Sequence, residues 1–283
     1  MKCFSIRYST ILLFVLAIAL QACNTPNSKQ HKNMKNKKKT YQLLWEDNFD
    51  GNQLNLENWN RQVEPAGRFN EEWQRYTASE NNAYVKDGNL IIEAIHESSK
   101  HGHNQYSSAR LNTAQKFEFT FGKVVARMKL PQGKGIWPAF WMLGANIDEN
   151  GGDTPWPFTG EIDILELWGT VSDAEIEANL HFADKDGKHD MMGAKGYQLE
   201  EGIFADDFHE FELEWTPKEL IWRVDGNEFA RKDISEPIYD AFRKDFFLLL
   251  NIAVGGTHAG RPDNTTTFPQ RMYADWVKVY QLK

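Results

Sequence analysis

From Asn89 to the C-terminus the chain falls again and again into short runs, six to nine residues long, of β-branched, aromatic and other apolar side chains. Turn-forming pairs such as Asp87-Gly88, Asp186-Gly187 and Asp225-Gly226 lie between them. The runs at 89–94, 123–130, 161–167, 175–182, 209–215, 219–224, 246–254 and 275–281 predict strands. Some alternate cleanly, with Val277 and Val279 set against Lys278 and Tyr280, as a strand with one buried face requires. No amphipathic helical period separates the runs, so the pattern predicts an all-β domain built as a sandwich of two antiparallel sheets. The length of 283 residues allows one such domain, and no internal repeat divides it.

One run breaks the pattern. Glu161-Ile162-Asp163-Ile164-Leu165-Glu166 places three carboxylates within six residues, where strands disfavour acids and neighbouring anions are costly to desolvate. Charged edge strands can be built this way to prevent aggregation. Paired acid and nucleophile chemistry on a glycosidic bond is the stronger reading, because it uses the mutual repulsion. Alternation puts Glu161 and Asp163 on one face and sends Glu166 to the other. A β-bulge at Ile164 or Leu165 returns Glu166 to the shared face. The two glutamates then stand about 13 Å apart at Cα by strand rise, so their side chains must lean together on a curved sheet.

The first 40 residues have a different character. Lys2 and Arg7 precede an apolar stretch from Tyr8 to Leu20 that reads as a signal peptide and is too short to span a bilayer comfortably. Leu20-Gln21-Ala22-Cys23 resembles a bacterial lipobox, which predicts a lipoprotein signal over 1–22, lipidation of Cys23 and export to the outer membrane of a Gram-negative bacterium. The 23–40 segment, with lysines at 29, 32, 35, 37, 38 and 39 and no acid, reads as a flexible tether. The other cysteine is Cys3, so the 41–283 domain has no internal disulfide and depends on its core.

Removing the basic leader changes the charge picture. Eight of the 32 basic residues and none of the 40 acidic ones fall within 1–40, so 41–283 holds 24 against 40 and a formal charge of −16. That balance argues against a nucleic-acid partner and disfavours strongly sulfated polysaccharides. A neutral glucan suits it better, and the domain is expected to be a monomer.

The acidic run with its leading Gly160 resembles the signature of glycoside hydrolase family 16 in its longer, bulged form. Further blocks are similar to that family in its order: Tyr106-Ser107-Ser108-Ala109-Arg110-Leu111, Phe121-Gly122-Lys123-Val124, the stretch from Gly135 to Gly144, and Asn251-Ile252-Ala253-Val254-Gly255-Gly256. The ensemble looks most like bacterial endo-β-1,3-glucanases, the laminarinases. The resemblance implies a β-jelly roll with a concave substrate cleft and endo-acting, retaining hydrolysis of β-1,3-glucan. It makes Glu161 the nucleophile, Glu166 the general acid and base, and Asp163 the group that tunes both. It implies substrate-binding roles for Asn70, Arg110, Trp137, Trp141, Trp156 and His181. Trp45, Trp215, Trp222 and Trp276 sit in regular strand patterns and are assigned to packing, and Trp141 could equally be core. For Arg110 a surface ion pair is the competing reading.

Departures from the family pattern limit what carries over. Laminarinases often continue Gly-Gly with Asn-Trp-Pro-Gly, but here Thr257-His258-Ala259-Gly260 follows, so one aromatic platform is missing. Relatives hold a structural calcium through an acidic position, a main-chain carbonyl near Gly88 and a carboxylate matching Asp275. The acidic position is Asn48 here, a ligand with less charge. No catalytic metal is expected, because the other histidines, His101 and His103 included, lack ligand spacing with acids. Mixed-linkage β-glucan and agar-type galactan are alternative substrates. A carbohydrate-binding jelly roll without catalysis is the alternative of another class, and three crowded carboxylates argue against it.

Overall fold

The computed structural model describes residues 40–98 and 105–283; the signal peptide, Cys23, the tether, His101 and His103 lie outside the described residues. Two sheets face each other. The ten-stranded sheet runs, in spatial order, through Asn227–Asp233, Glu219–Val224, His209–Trp215, Gly122–Lys129, Gln270–Leu282, Asn89–His96, Tyr106–Ser108 and Gln74–Tyr76. Tyr41–Asp47 and Ala83–Lys86 pair beside this path. The eight-stranded sheet runs through His189–Met191, Glu175–Ala183, Glu161–Glu166, Ile136–Gly144, Phe246–Val254, Arg110–Asn112 and Asn60–Gln62, with Lys195–Gln198 alongside Glu175–Ala183. Pairing is antiparallel except between Gln74–Tyr76 and Tyr106–Ser108.

The strands predicted at 209–215, 219–224 and 246–254 have those limits. The central Phe246–Val254 strand is buried along its whole length. Its alternate residues Phe246, Leu248, Leu250, Ile252 and Val254 enter the core between the sheets, where they meet Phe140, Met142, Ile162 and Leu213. Each such side chain contributes roughly 1.5–3 kcal/mol by leaving water. Phe247 and Leu249 instead point to the outer face and pack with Leu143 and Ile147, and Ala253 packs there with Trp137 and Ala259. The outer face of this strand is therefore apolar on either side of Asn251.

Two features depart from the sequence reading. Ile136–Gly144, which is not among the predicted strands, is a central strand despite Pro138. The Pro138 carbonyl accepts from the Leu167 N–H just past the end of the Glu161–Glu166 strand, so the missing proline donor falls where that ladder has stopped. Trp276 is half-buried outside the core, beneath the Lys278 ammonium 4.7 Å from its ring. A bulge between Ala274 and Trp276 shifts the alternation by one, leaving Val277 rather than Trp276 in the core. Trp45, Trp215 and Trp222 do pack as expected, Trp45 stacked on Phe117 at 4.8 Å.

Candidate active site

The bulge that the acidic run demanded is present. Against Glu175–Ala183 the register runs Glu161 to His181 and Asp163 to Asn179, then jumps to Glu166 opposite Glu177. Against Ile136–Gly144 it steps from Asp163 opposite Trp141 to Leu165 opposite Phe140, which leaves Ile164 as the extra residue. Ile164 and Leu165 both enter the core, and Glu161, Asp163 and Glu166 share the outer face.

Cross-strand register then fixes the floor around them. One row holds Asn179, Asp163, Trp141, Leu249 and Asn112, and the next holds Glu177, Glu166, Ala139, Asn251 and Arg110. Ala139 is the small member of its row and lies buried between Glu166 and Asn251.

Each carboxylate has its own partners. The Trp156 indole N–H donates to Glu161 Oε2 at 3.0 Å, and the Trp137 indole N–H donates to Glu166 Oε1 at 3.0 Å. His181 Nε2 lies 3.2 Å from Asp163 Oδ2 and 3.8 Å from Glu161 Oε1. Its contact with Asp163 is an ion pair without a linear hydrogen bond. The main-chain carbonyl of Asp163 accepts from the buried Trp222 indole at 2.9 Å, which pins the strand at its bulge from the core side.

These surroundings order the ionisations. Burial first, then the charge of Asp163, push Glu161 up to about 8, against the pull of His181 and the Trp156 N–H. Glu166 is raised well above the usual carboxylate range by burial, by Asp163, by Glu161 and by Glu177, with the Trp137 N–H opposing. Glu161 has a cation beside it and Glu166 has a further anion, so Glu161 ionises first. Burial works against charge on His181, but Asp163 and Glu161 overcome it and lift the ring to about 9. Glu161, Asp163 and His181 present ligand atoms within 4.8 Å of one another, close enough for a cation. With His181 protonated, its Nε2 faces the carboxylates as a donor, and the group is an ion-pair cluster. A carboxyl pair in which one member ionises before the other supplies a nucleophile and an acid.

The remaining predicted residues flank this centre. Trp141 lies on the outer face, its indole donating to Asn251 Oδ1 at 2.7 Å. Arg110 is buried, its guanidinium 4.6 Å from the Trp141 ring and 4.5 Å from Phe69, and it pairs with Glu149 at 3.0 Å and donates to Gln62 at 2.9 Å. It is thus a buried ion pair that props Trp141, which a reading as surface pair or free sugar ligand did not foresee. Asn70 donates to Glu72 Oε1 at 3.3 Å from a loop in which Asn70 and Glu71 both have positive φ. That loop is closed by Gly255, at φ 74°, where an added Cβ would stand 2.8 Å from the Trp73 ring.

Several contributors escaped the sequence reading. Glu72 is buried, raised by its burial, and accepts from Gln74 at 2.6 Å and Tyr76 at 3.1 Å. Asn251 donates to Tyr76 at 3.2 Å, so a polar chain runs from Trp141 through Asn251 and Tyr76 to Glu72. His258 lies where the aromatic platform is missing, with its ring 5.8 Å from Trp137 and 5.5 Å from Trp168. Nothing in the sequence pointed to the burial of Glu72 or to Glu149.

The calcium positions stand apart from the site. The register of Asp47 with Val277 and of Leu90 with Ala274 brings Asn48, Gly88 and Asp275 to one end of the larger sheet. There Arg127 Nη1 donates to Asp275 Oδ2 at 2.7 Å, so a cation at this end competes with a guanidinium for the single carboxylate.

Comparison with known proteins agrees with this geometry. The model of glycosyl hydrolases family 16 matches residues 69–278. The chain is 36% identical over 251 residues to a beta-glucanase of Rhodothermus marinus, covering 85% of each protein. It is 33% identical over 262 residues to glucan endo-1,3-beta-glucosidase A1 of Niallia circulans, covering 84% of this chain and 38% of that longer relative. The solved catalytic domain of an endo-1,3-beta-glucanase (laminarinase) from Thermotoga petrophila RKU-1 superposes with a TM-score of 0.76 at 39% identity, over 87% of this chain and 99% of that one. The chain, a sandwich whose bulged strand presents three carboxylates on one face and which is matched along most of its length, belongs to glycosyl hydrolase family 16.

Proposed function

We propose that this glycoside hydrolase cleaves β-1,3-glucan of the laminarin type within the chain, with retention at the anomeric carbon. The observation that carries the mechanism is geometric: Glu161, Asp163 and Glu166 share one face of the bulged strand, with His181 beside Glu161 and Glu177 opposite Glu166. The substrate class rests on the β-1,3-glucan-cleaving relatives. Glu161 attacks the anomeric carbon as Glu166 gives its proton to the glycosidic oxygen, the C–O bond breaks, and a glycosyl ester forms on Glu161. Glu166, now ionised, takes a proton from water, whose oxygen displaces Glu161 from the same face that the leaving sugar occupied. Asp163 keeps Glu166 protonated by its charge, and the Trp156 and Trp137 N–H groups hold the two carboxyls in place. Trp141, Trp156, Asn70 and Arg110 shape the cleft, the last by bracing Trp141.

Proton NMR of the purified protein acting on laminarin tests this by following the anomeric protons of the earliest products. The β-anomer released first supports retention and the role of Glu161; the α-anomer would overturn it. Absence of products from laminarin, with products from lichenan or agarose, would move the substrate to mixed-linkage glucan or galactan. We also propose that the chain is exported as a monomer tethered through a lipid on Cys23, on the strength of its leader sequence. Fractionation of wild type and Cys23→Ser tests this, with the variant expected to leave the membrane fraction.

A further inference from the structure

The edge strand His189–Met191 brings a second histidine to the site. His189 Nε2 lies 2.8 Å from His181 Nδ1, and the two rings stack at 5.1 Å. The same imidazole packs 4.5 Å from the Trp156 ring, whose N–H holds Glu161. We infer that His189 is a positioning residue, which accepts a hydrogen bond from the cationic His181 and backs Trp156, so that one edge side chain holds both groups facing Glu161.

One proton fits between the two facing nitrogens. His181 must carry hydrogen on Nε2 to face Asp163 and Glu161, and as a cation it also carries hydrogen on Nδ1. His189 then has to be neutral, protonated on Nδ1 and accepting on Nε2. The charged and titratable groups facing His189 agree with this assignment. His181 comes from the adjacent Glu175–Ala183 strand, Asp190 neighbours it on its own strand, and the 155–158 loop presents the uncharged Trp156. Burial and then the His181 charge keep His189 below its ordinary value, while Asp190 opposes them. The pair therefore carries a single positive charge, aimed at Asp163 and Glu161. Removing the acceptor makes His181 easier to deprotonate and takes a cation from beside Glu161.

The inference rests on the glucanase reading for its kinetics but has a readout that does not need substrate. His189→Leu keeps apolar bulk against Trp156 and removes the acceptor, whereas His189→Gln keeps an acceptor without a titratable ring. Imidazole NMR of the full-length protein follows the titration of His181 directly. In His189→Leu its midpoint should fall by about one pH unit, the size expected when a charged hydrogen bond is lost. In His189→Gln it should stay near the wild-type value. The acid limb of kcat/KM on laminarin should rise in the Leu variant and return in the Gln variant. An unchanged His181 titration in His189→Leu would overturn the inference whatever the substrate proves to be. Lower activity with an unmoved pH profile would also overturn it, because it would reduce His189 to packing.

Discussion

Asp163 is the group on which both glutamates depend, and Asp163→Asn removes its charge while keeping its shape. Side chains two apart on one strand face stand about 6–7 Å from each other. At an effective dielectric of about 20, two charges at that separation interact by about 2.5 kcal/mol. One pH unit corresponds to about 1.36 kcal/mol, so losing Asp163 should drop the ionisation of Glu166 by one to two units. Glu161 responds less, because the substitution also weakens the hold on the His181 proton and so removes part of the positive charge beside it. The kcat/KM profile on laminarin should therefore narrow: the alkaline limb, where Glu166 loses its proton, moves down by one to two units, and the acid limb moves less. Since the carboxyls titrate as a coupled set, the limbs report the set, and the comparison with wild type carries the test. An alkaline limb that stays in place, or moves up, would refute the charge argument.

The same raised groups make the fold pay for its site. Glu161, from 4.5 to about 8, and His181, from 6.5 to about 9, both bind protons more tightly when folded. Stability present at the acid side of this range is then lost as pH rises through it, so the urea midpoint should fall between pH 5 and 9. Glu161→Gln should flatten that slope and abolish hydrolysis, and Glu166→Gln should be inactive with a raised Tm; a lowered Tm in both would contradict the burial argument. Trp222→Phe strands the Asp163 carbonyl without its donor and leaves a small cavity, together costing about 2–4 kcal/mol. In calorimetry that is a Tm lower by roughly 5–10 °C for a domain of this size, and an unchanged Tm would show that the bulge does not need this anchor. Treatment with EDTA should leave Tm unaltered, because Arg127 already neutralises Asp275; a clear drop would place a cation there after all.

The sequence made legible whatever depended on period and phase. Glu161, Asp163 and Glu166 could be put on one face because a two-residue period leaves a bulge as the simplest repair, and the register confirms it at Ile164. The long apolar strand at 246–254 was visible, but its division into inward Leu248 and outward Leu249 was not, since a strand buried on both faces has no polar phase. Trp276 was misassigned although the alternation that buries Val277 and Val279 already sets it with Lys278 on the opposite face; the bulge before it breaks its phase with Met272 and Ala274. Pro138 concealed a central strand, because the ladder that would have needed its N–H ends beside it. Arg110 met Glu149 across 39 positions and His181 met His189 across an edge pairing, contacts that only the assembled sheet creates.

The unpaired Ile164 separates two things that usually come together in a strand, namely which way a side chain points and where it is aimed. Deleting one residue between Asp163 and Glu166 would leave an ordinary zigzag with all three acids still in phase. The insertion is thus unnecessary for bringing the carboxylates to one surface, and its effect is local twist and an extra methyl-rich side chain beneath them. Reach between the first and last acid is consequently set by chain length at one spot, independently of the chemistry on either side. A shortened chain would therefore tell, without altering any catalytic group, how much of the rate depends on aim alone.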